Sequence, residues 1–155
     1  MKDAKTLRVA IIIAIGGVAL IALYLGLVLP REKTRAKRLK AIWTQRNFYR
    51  NTYEIRLYER DNGEWPSRID MAIPSVLPEF LSDPQGSATV HPAFNGTGGW
   101  VYDPEGRKFC VNLRGTVGEI LGLPERDELT RSVPSEWRWS EREMPPDGTT
   151  SSEED

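Results

Sequence analysis

Val9 to Leu29 is an unbroken run of 21 residues without a charged side chain, and apart from Gly16, Gly17 and Gly26 every member is aliphatic or aromatic. Wound as a helix at 1.5 Å per residue, the run is roughly 31 Å long, which matches the hydrocarbon core of a bilayer and exceeds the apolar region of a secretory signal. No small-x-small cleavage pattern closes it before Pro30 and the charges that follow. The run therefore predicts a membrane-spanning helix and a single-pass protein. It holds no Asp, Glu, His, Lys or Arg, which argues against an ion pathway through it. Ala10, Ala14, Ala22 and Gly26 recur at a four-residue step broken by Val18, a small face on which another transmembrane helix could approach closely.

Charge is segregated as sharply as hydropathy, although the total is only −1. Residues 1–8 sum to +2, residues 31–60 carry ten basic and three acidic side chains, and residues 61–155 carry eight basic and eighteen acidic ones. The basic block lies against the membrane segment, where anionic lipid head groups are the expected partner. A single cysteine, Cys110, excludes an intramolecular disulfide framework and a multi-cysteine metal site.

Arg31 to about Arg60 contains neither Gly nor Pro, and Leu39, Ile42, Trp43, Tyr49, Tyr53 and Leu57 recur mostly at steps of three, four or seven. This spacing predicts a long amphipathic helix continuing from the anchor, with Ile42, Tyr49, Tyr53 and Leu57 packed on a sheet. Pro30 at the junction can kink the helix or begin a second one, and Asp61-Asn62-Gly63 followed by Pro66 stops it. Aromatics interleaved with arginines in this stretch suggest packing on a sheet rather than stacking on bases, so nucleic acid is not an expected partner. Residues 67–82 read as a proline-punctuated loop anchored by Ile69, Ile73, Val76, Leu77, Phe80 and Leu81. Asp83-Pro84-Gln85-Gly86 has the residues of a type I turn. Trp100-Val101-Tyr102, the turn Asp103-Pro104-Glu105-Gly106, and Lys108 to Asn112 predict a β-hairpin. Residues 144–155 are Pro, Gly, Ser, Thr, Met and acidic residues, a composition expected to remain disordered.

The residues that carry chemistry are sparse. His91 is the only histidine and precedes Pro92 in turn sequence, which leaves a catalytic triad without a base. Cys110 falls in mid-strand, where a buried inert thiol is expected. No H-E-x-x-H, C-x-x-C or phosphate-binding glycine loop occurs. Asp83 and Asp103 sit in turns that account for them, and a calcium site of six to eight oxygens cannot be assembled around either. Asn95-Gly96-Thr97 matches the glycosylation sequon. The expectation is a non-enzymatic protein with no catalytic, cofactor-binding or metal-binding residues.

The order of features is the most specific signal. A hydrophobic helix ends in Leu29-Pro30; an amphipathic helix follows, then Asp61-Asn62-Gly63-Glu64-Trp65-Pro66, a proline-rich loop ending in Asp83-Pro84, and Gly98-Gly99-Trp100-Val101-Tyr102-Asp103-Pro104. Over roughly residues 9–113 this resembles the type IV pilin and type II secretion pseudopilin family. The resemblance implies an α+β fold, in which the transmembrane helix continues into a spine helix packed on a small antiparallel sheet. It also implies a role in a secretion or pilus apparatus, contacts with other pilin-like subunits through the transmembrane and spine helices, and a bacterial inner-membrane location. With Pro30 placed on the family's helix proline, Arg8 stands where the leader glycine would be and Ile13 where the fifth-position glutamate would be. Leader cleavage is accordingly not expected.

The chain thus divides into a basic leader-like segment (1–8), a transmembrane helix (9–29), an amphipathic spine helix (30–62), a small α+β head with a C-terminal extension (63–143) and an acidic tail (144–155). Orientation is contested by two arguments. Lys2, Lys5 and Arg8 on one side face Arg31, Lys33, Arg35, Lys37, Arg38, Lys40 and Arg46 on the other, a count that predicts a cytoplasmic head. The resemblance implies an extracytoplasmic head, and the expectation follows it. The competing reading is a bitopic adaptor with a cytoplasmic interaction domain.

Overall fold

The computed structural model describes residues 15–139, so the leader-like segment, the first part of the apolar run and the acidic tail lie outside the described residues. Two compact units divide the chain at Arg38/Leu39.

In the first unit the apolar run is helical and solvent-exposed from Ile15 onward, as a segment that meets lipid rather than protein must be. The helical run Ile15–Asn62 is the one helix among the described residues long and apolar enough to cross a membrane. Tyr24–Val28 winds as a π-helical turn, with the Leu29 N–H donating to the Tyr24 carbonyl five residues back. Helix α1, Leu29–Asn62, then continues through Pro30. Proline has no N–H to give and its ring crowds the carbonyl one turn earlier, so a widened turn immediately upstream relieves the clash without breaking the helix. Thr34 Oγ1 donates to the Pro30 carbonyl at 2.9 Å.

The second unit begins at Leu39 and places the remaining part of α1 on a small sheet. Ala41, Thr44, Asn47, Phe48, Asn51, Thr52 and Ile55 are its buried residues. The expected packing face is therefore corrected in part: Leu39, Ile42 and Trp43 are exposed, Tyr53 and Leu57 are half-buried, and Tyr49, also half-buried, packs against the core as expected. The reason is polar. Residues 77–80 approach the helix as irregular chain, whose N–H and C=O groups need partners, and the side chains that supply them are Thr44, Asn47 and Asn51. Phe80 N donates to Thr44 Oγ1 at 2.9 Å, Asn47 Nδ2 donates to the Pro78 carbonyl at 2.8 Å, and Asn51 Nδ2 donates to the Leu77 carbonyl at 3.1 Å. Gly63, at φ +75°, stops the helix and donates to the Glu59 carbonyl at 2.8 Å, as the expected exit sequence implied.

The head is α+β. A short helix α2, Ile69–Ala72, follows the Pro66 turn, and strands β1 (Val90–His91), β2 (Trp100–Asp103) and β3 (Lys108–Val111) form a sheet in the order β1-β2-β3. β2 and β3 are the expected antiparallel hairpin, with Trp100 opposite Val111 and Asp103 opposite Lys108. Its turn is held by Asp103 Oδ1 accepting from Gly106 N at 2.9 Å. β1 joins β2 in parallel, so the sheet is mixed rather than purely antiparallel. Gly99 makes that pairing possible. It adopts φ +73°, and a Cβ there would stand 2.3 Å from the Thr89 carbonyl oxygen, which accepts from Trp100 N at 2.8 Å. After the hairpin come α3 (Val117–Leu121) and α4 (Glu128–Arg131), each opened by a reciprocal capping box, and a single 3-10 turn at Pro134–Glu136.

Phe48 of α1 lies at the centre of the core. Its ring stacks within 6.0 Å of Phe109 and 6.5 Å of Trp100, and Trp100 stacks on Phe109 at 5.1 Å. Trp100 is fully buried, and its indole N–H donates to the Leu77 carbonyl at 2.9 Å.

Candidate functional site

Two polar clusters hold the loops of the head in place. Glu79 is fully buried, and its carboxylate accepts from Leu81 N, from Ser82 N at 2.8 Å, from Ser82 Oγ at 2.5 Å and from Gly99 N at 3.2 Å. Asn112, equally buried, accepts from Asn95 N and Gly96 N at 3.0 and 2.9 Å and donates to Asn95 Oδ1 at 2.7 Å and to the Gly98 carbonyl at 3.0 Å. Both clusters converge on Gly98-Gly99. Their hydrogen-bonding capacity is used within the fold, which makes them structural.

The individually notable residues also resolve into structure. Cys110 is buried in β3, where burial pushes its thiol pKa up, away from the reactive thiolate. His91 is half-buried in β1. Asp83 Oδ1 accepts from Gln85 N at 2.8 Å and Asp103 serves the hairpin turn, so both carboxylates act as turn residues. Thr97 Oγ1 donates to Asn95 Oδ1 at 2.6 Å, so the sequon's side chains close a local turn. Among the described residues no group of three or more His, Cys, Asp or Glu is placed to hold a metal ion.

What pattern reading missed is a groove of about 760 Å³ between α1, β3 and the C-terminal segment. Phe48, Thr52, Trp65, Phe109 and Cys110 form its buried lining, while Arg56, Arg107, Lys108 and Arg138 are exposed along it, with Glu136 the single acidic member. Arg56 stands 5.0 Å above the Trp65 ring and pairs with Glu59 at 2.8 Å, and Arg107 reaches the same carboxylate at 3.4 Å. Among the described residues neither Lys108 nor Arg138 forms an ion pair. Two of the groove's four cations are thus shared with Glu59, and its floor is aromatic.

Its donors are incompletely used. Among the described residues Trp139 Nε1, a buried donor, has no hydrogen-bond partner, and a buried donor left unpaired costs about 1–3 kcal/mol. Trp65 Nε1 is buried close to the Tyr102 hydroxyl but outside hydrogen-bonding geometry; that hydroxyl donates to the Pro66 carbonyl, and burial pushes its pKa up to about 12. The Trp137-Arg138-Trp139 stretch was the sequence signal available for this site: two large aromatics flanking a cation in an otherwise polar segment.

No protein-family model, curated protein or solved structure matches the chain. The candidate site therefore rests on its own geometry.

Proposed function

We propose that the chain is a non-enzymatic, membrane-anchored subunit, pilin-like or pseudopilin-like, that works in a secretion or pilus apparatus of the bacterial inner membrane with its head outside the cytoplasm. The observation that carries this reading is the way the Gly98-to-Pro104 hairpin is tied to α1. Trp100 and Asn51 both donate to the Leu77 carbonyl, so the proline-rich loop is clamped between spine helix and sheet. A helix packed on a small sheet, in a chain that also carries a candidate membrane span, is the arrangement such a subunit needs. Membrane lipid and neighbouring pilin-like subunits, met through the span and the spine helix, are its partners.

A second reading is favoured by the basic residues that flank the apolar run, seven after it against three before. On that reading the protein is a bitopic adaptor whose head recruits a soluble cytoplasmic partner. One experiment separates the two. Ser152→Cys in a Cys110→Ser background is exposed to a membrane-impermeant maleimide in intact spheroplasts. Labelling before lysis supports the secretion-apparatus subunit, and labelling only after lysis replaces it with the adaptor.

A further inference from the structure

We propose that the outward face of α1 from Leu39 to Leu57 is a docking seam for an amphipathic helix of a different protein, apolar along its contact line and carrying Asp or Glu where it meets Arg46 and Arg50. The inference rests on the reading of the chain as a non-enzymatic subunit and names the chemistry of one partner. The placement of the seam and its charge carry it.

Placement follows from helix geometry. Leu39, Ile42, Arg46, Arg50, Tyr53 and Leu57 follow one another at steps of three or four, so they line one side of α1, opposite buried residues such as Phe48, Asn51 and Ile55. Leu39, Ile42 and Trp43 are 45%, 49% and 49% exposed, and Arg46 and Arg50 are exposed with them. Tyr53 and Leu57 are half-buried and take no part in the core. The seam runs roughly 27 Å at 1.5 Å per residue, and its spacing is that of the line along which one helix packs on another. Large apolar side chains gathered on an exposed helix face, rather than scattered singly, mark a contact surface.

Charge selects the occupant. From Leu39 to Leu57 the helix carries Lys40, Arg46, Arg50 and Arg56 against Glu54 alone. Among the described residues neither Arg46 nor Arg50 forms an ion pair, and the Arg46 guanidinium lies over the Trp43 ring at 5.7 Å. A guanidinium held over a ring still donates through its edge, in a fork that matches a carboxylate. A second copy of this chain is a poor occupant, because pairing two such seams sets arginines against arginines with no acidic residue on the line to offset them. A lipid surface fits less well too: an interfacial helix keeps its cations on a polar face apart from the apolar one, whereas Arg46 and Arg50 stand in the middle of this stripe.

The probe is a capped helical peptide of about 18 residues, enough to span the seam, with leucine at the a and d positions of its heptads and glutamate at e and g, which keeps it from pairing with itself. It is titrated against the full chain in phosphatidylcholine nanodiscs while the Trp43 indole resonance, assigned with Trp43→Phe, is followed by NMR. A saturable shift of that resonance is expected, with a loss of affinity of about tenfold or more in Arg46→Gln/Arg50→Gln, in Ile42→Ser, and when lysine replaces glutamate in the peptide. All three substituted positions are exposed, so these variants keep the fold. Absence of a shift overturns the proposal, and so does equal binding of the lysine peptide. A chain that dimerises without peptide, and stops doing so in Ile42→Ser, overturns it in favour of a second copy. A Trp43 shift on adding phosphatidylglycerol to the nanodiscs, with none on adding peptide, assigns the face to lipid instead. None of these readouts depends on which side of the membrane the head occupies, so the maleimide experiment and this one fail separately.

Discussion

Asn51 and Leu77 grip each other by two hydrogen bonds: the carboxamide N–H of Asn51 donates to the Leu77 carbonyl, and the Leu77 amide donates back to Asn51 Oδ1, each at 3.1 Å. A side chain on a helix here imitates one rung of a β-ladder and gives the proline-rich loop a backbone partner. Asn51→Leu keeps the branched shape of the side chain but leaves the Leu77 amide without its partner, and is expected to cost about 1–3 kcal/mol. Denaturation of the purified protein in detergent measures it; a loss below about 0.5 kcal/mol would mean the loop finds other partners.

Glu79 offers a harsher test of the same principle. Its carboxylate gathers four donors, so Glu79→Gln replaces one acceptor oxygen with a donor facing other donors, and a loss of about 2–3 kcal/mol is expected. Glu79→Ala should be at least as severe. Retention of full stability in both variants would show that the Gly98-Gly99 turn holds itself.

Trp100 shares the Leu77 carbonyl with Asn51. Trp100→Ala removes a fully buried indole stacked on both Phe48 and Phe109 and should cost about 3–5 kcal/mol. Trp100→Phe retains much of the ring packing and loses the bond to Leu77, with an expected cost of about 1–2 kcal/mol. The difference between the two variants in thermal unfolding isolates the packing from the hydrogen bond.

Alkaline pH probes Tyr102. Its phenol holds its proton up to about 12 in the folded state against an ordinary value of 10.0. The native state therefore keeps a proton that the unfolded chain releases first. Stability is expected to be unaffected by this group below pH about 10 and to fall as pH rises from there towards about 12. Tyr102→Phe should flatten that part of the stability–pH profile, and an unchanged slope in the variant would assign it to other groups.

Cys110 should alkylate slowly in the folded protein and rapidly after unfolding, because burial both shields the sulfur and raises its pKa. Equal rates in native buffer and in denaturant would place the thiol at the surface and β3 out of register.

The hairpin, the helix stop at Gly63 and the α+β class were legible because each is written in local chemistry: alternating aromatic and β-branched residues, a left-handed glycine, turn-forming Asp and Pro. The buried face of α1 was not. Apolar periodicity selects Leu39, Ile42 and Trp43, whereas the helix turns Thr44, Asn47 and Asn51 inward to serve a loop far away in sequence. No hydropathy pattern can report a polar residue's distant partner. β1 escaped for a related reason: two residues beside Pro92 carry no alternation, and their pairing with β2 depends on Gly99 admitting the Thr89 carbonyl. The groove combines residues from α1, β3 and the chain beyond Pro134, so only the folded protein brings its cations together.

The π turn at Tyr24–Val28 works as an angular offset. One extra residue held in a widened turn sets every residue beyond it back by about 100° around the axis relative to an uninterrupted helix of 3.6 residues per turn. Ala22 and Gly26, counted in steps of four, therefore do not continue as one stripe into the basic residues after Pro30. The azimuth at which Arg31, Lys33 and Arg35 leave the helix relative to the small-residue face is set by that single residue. A return of Tyr24–Val28 to regular α-helical winding at constant length would swing the cationic cluster by about a quarter turn, whereas deleting one residue together with the π turn would leave its azimuth almost unaltered.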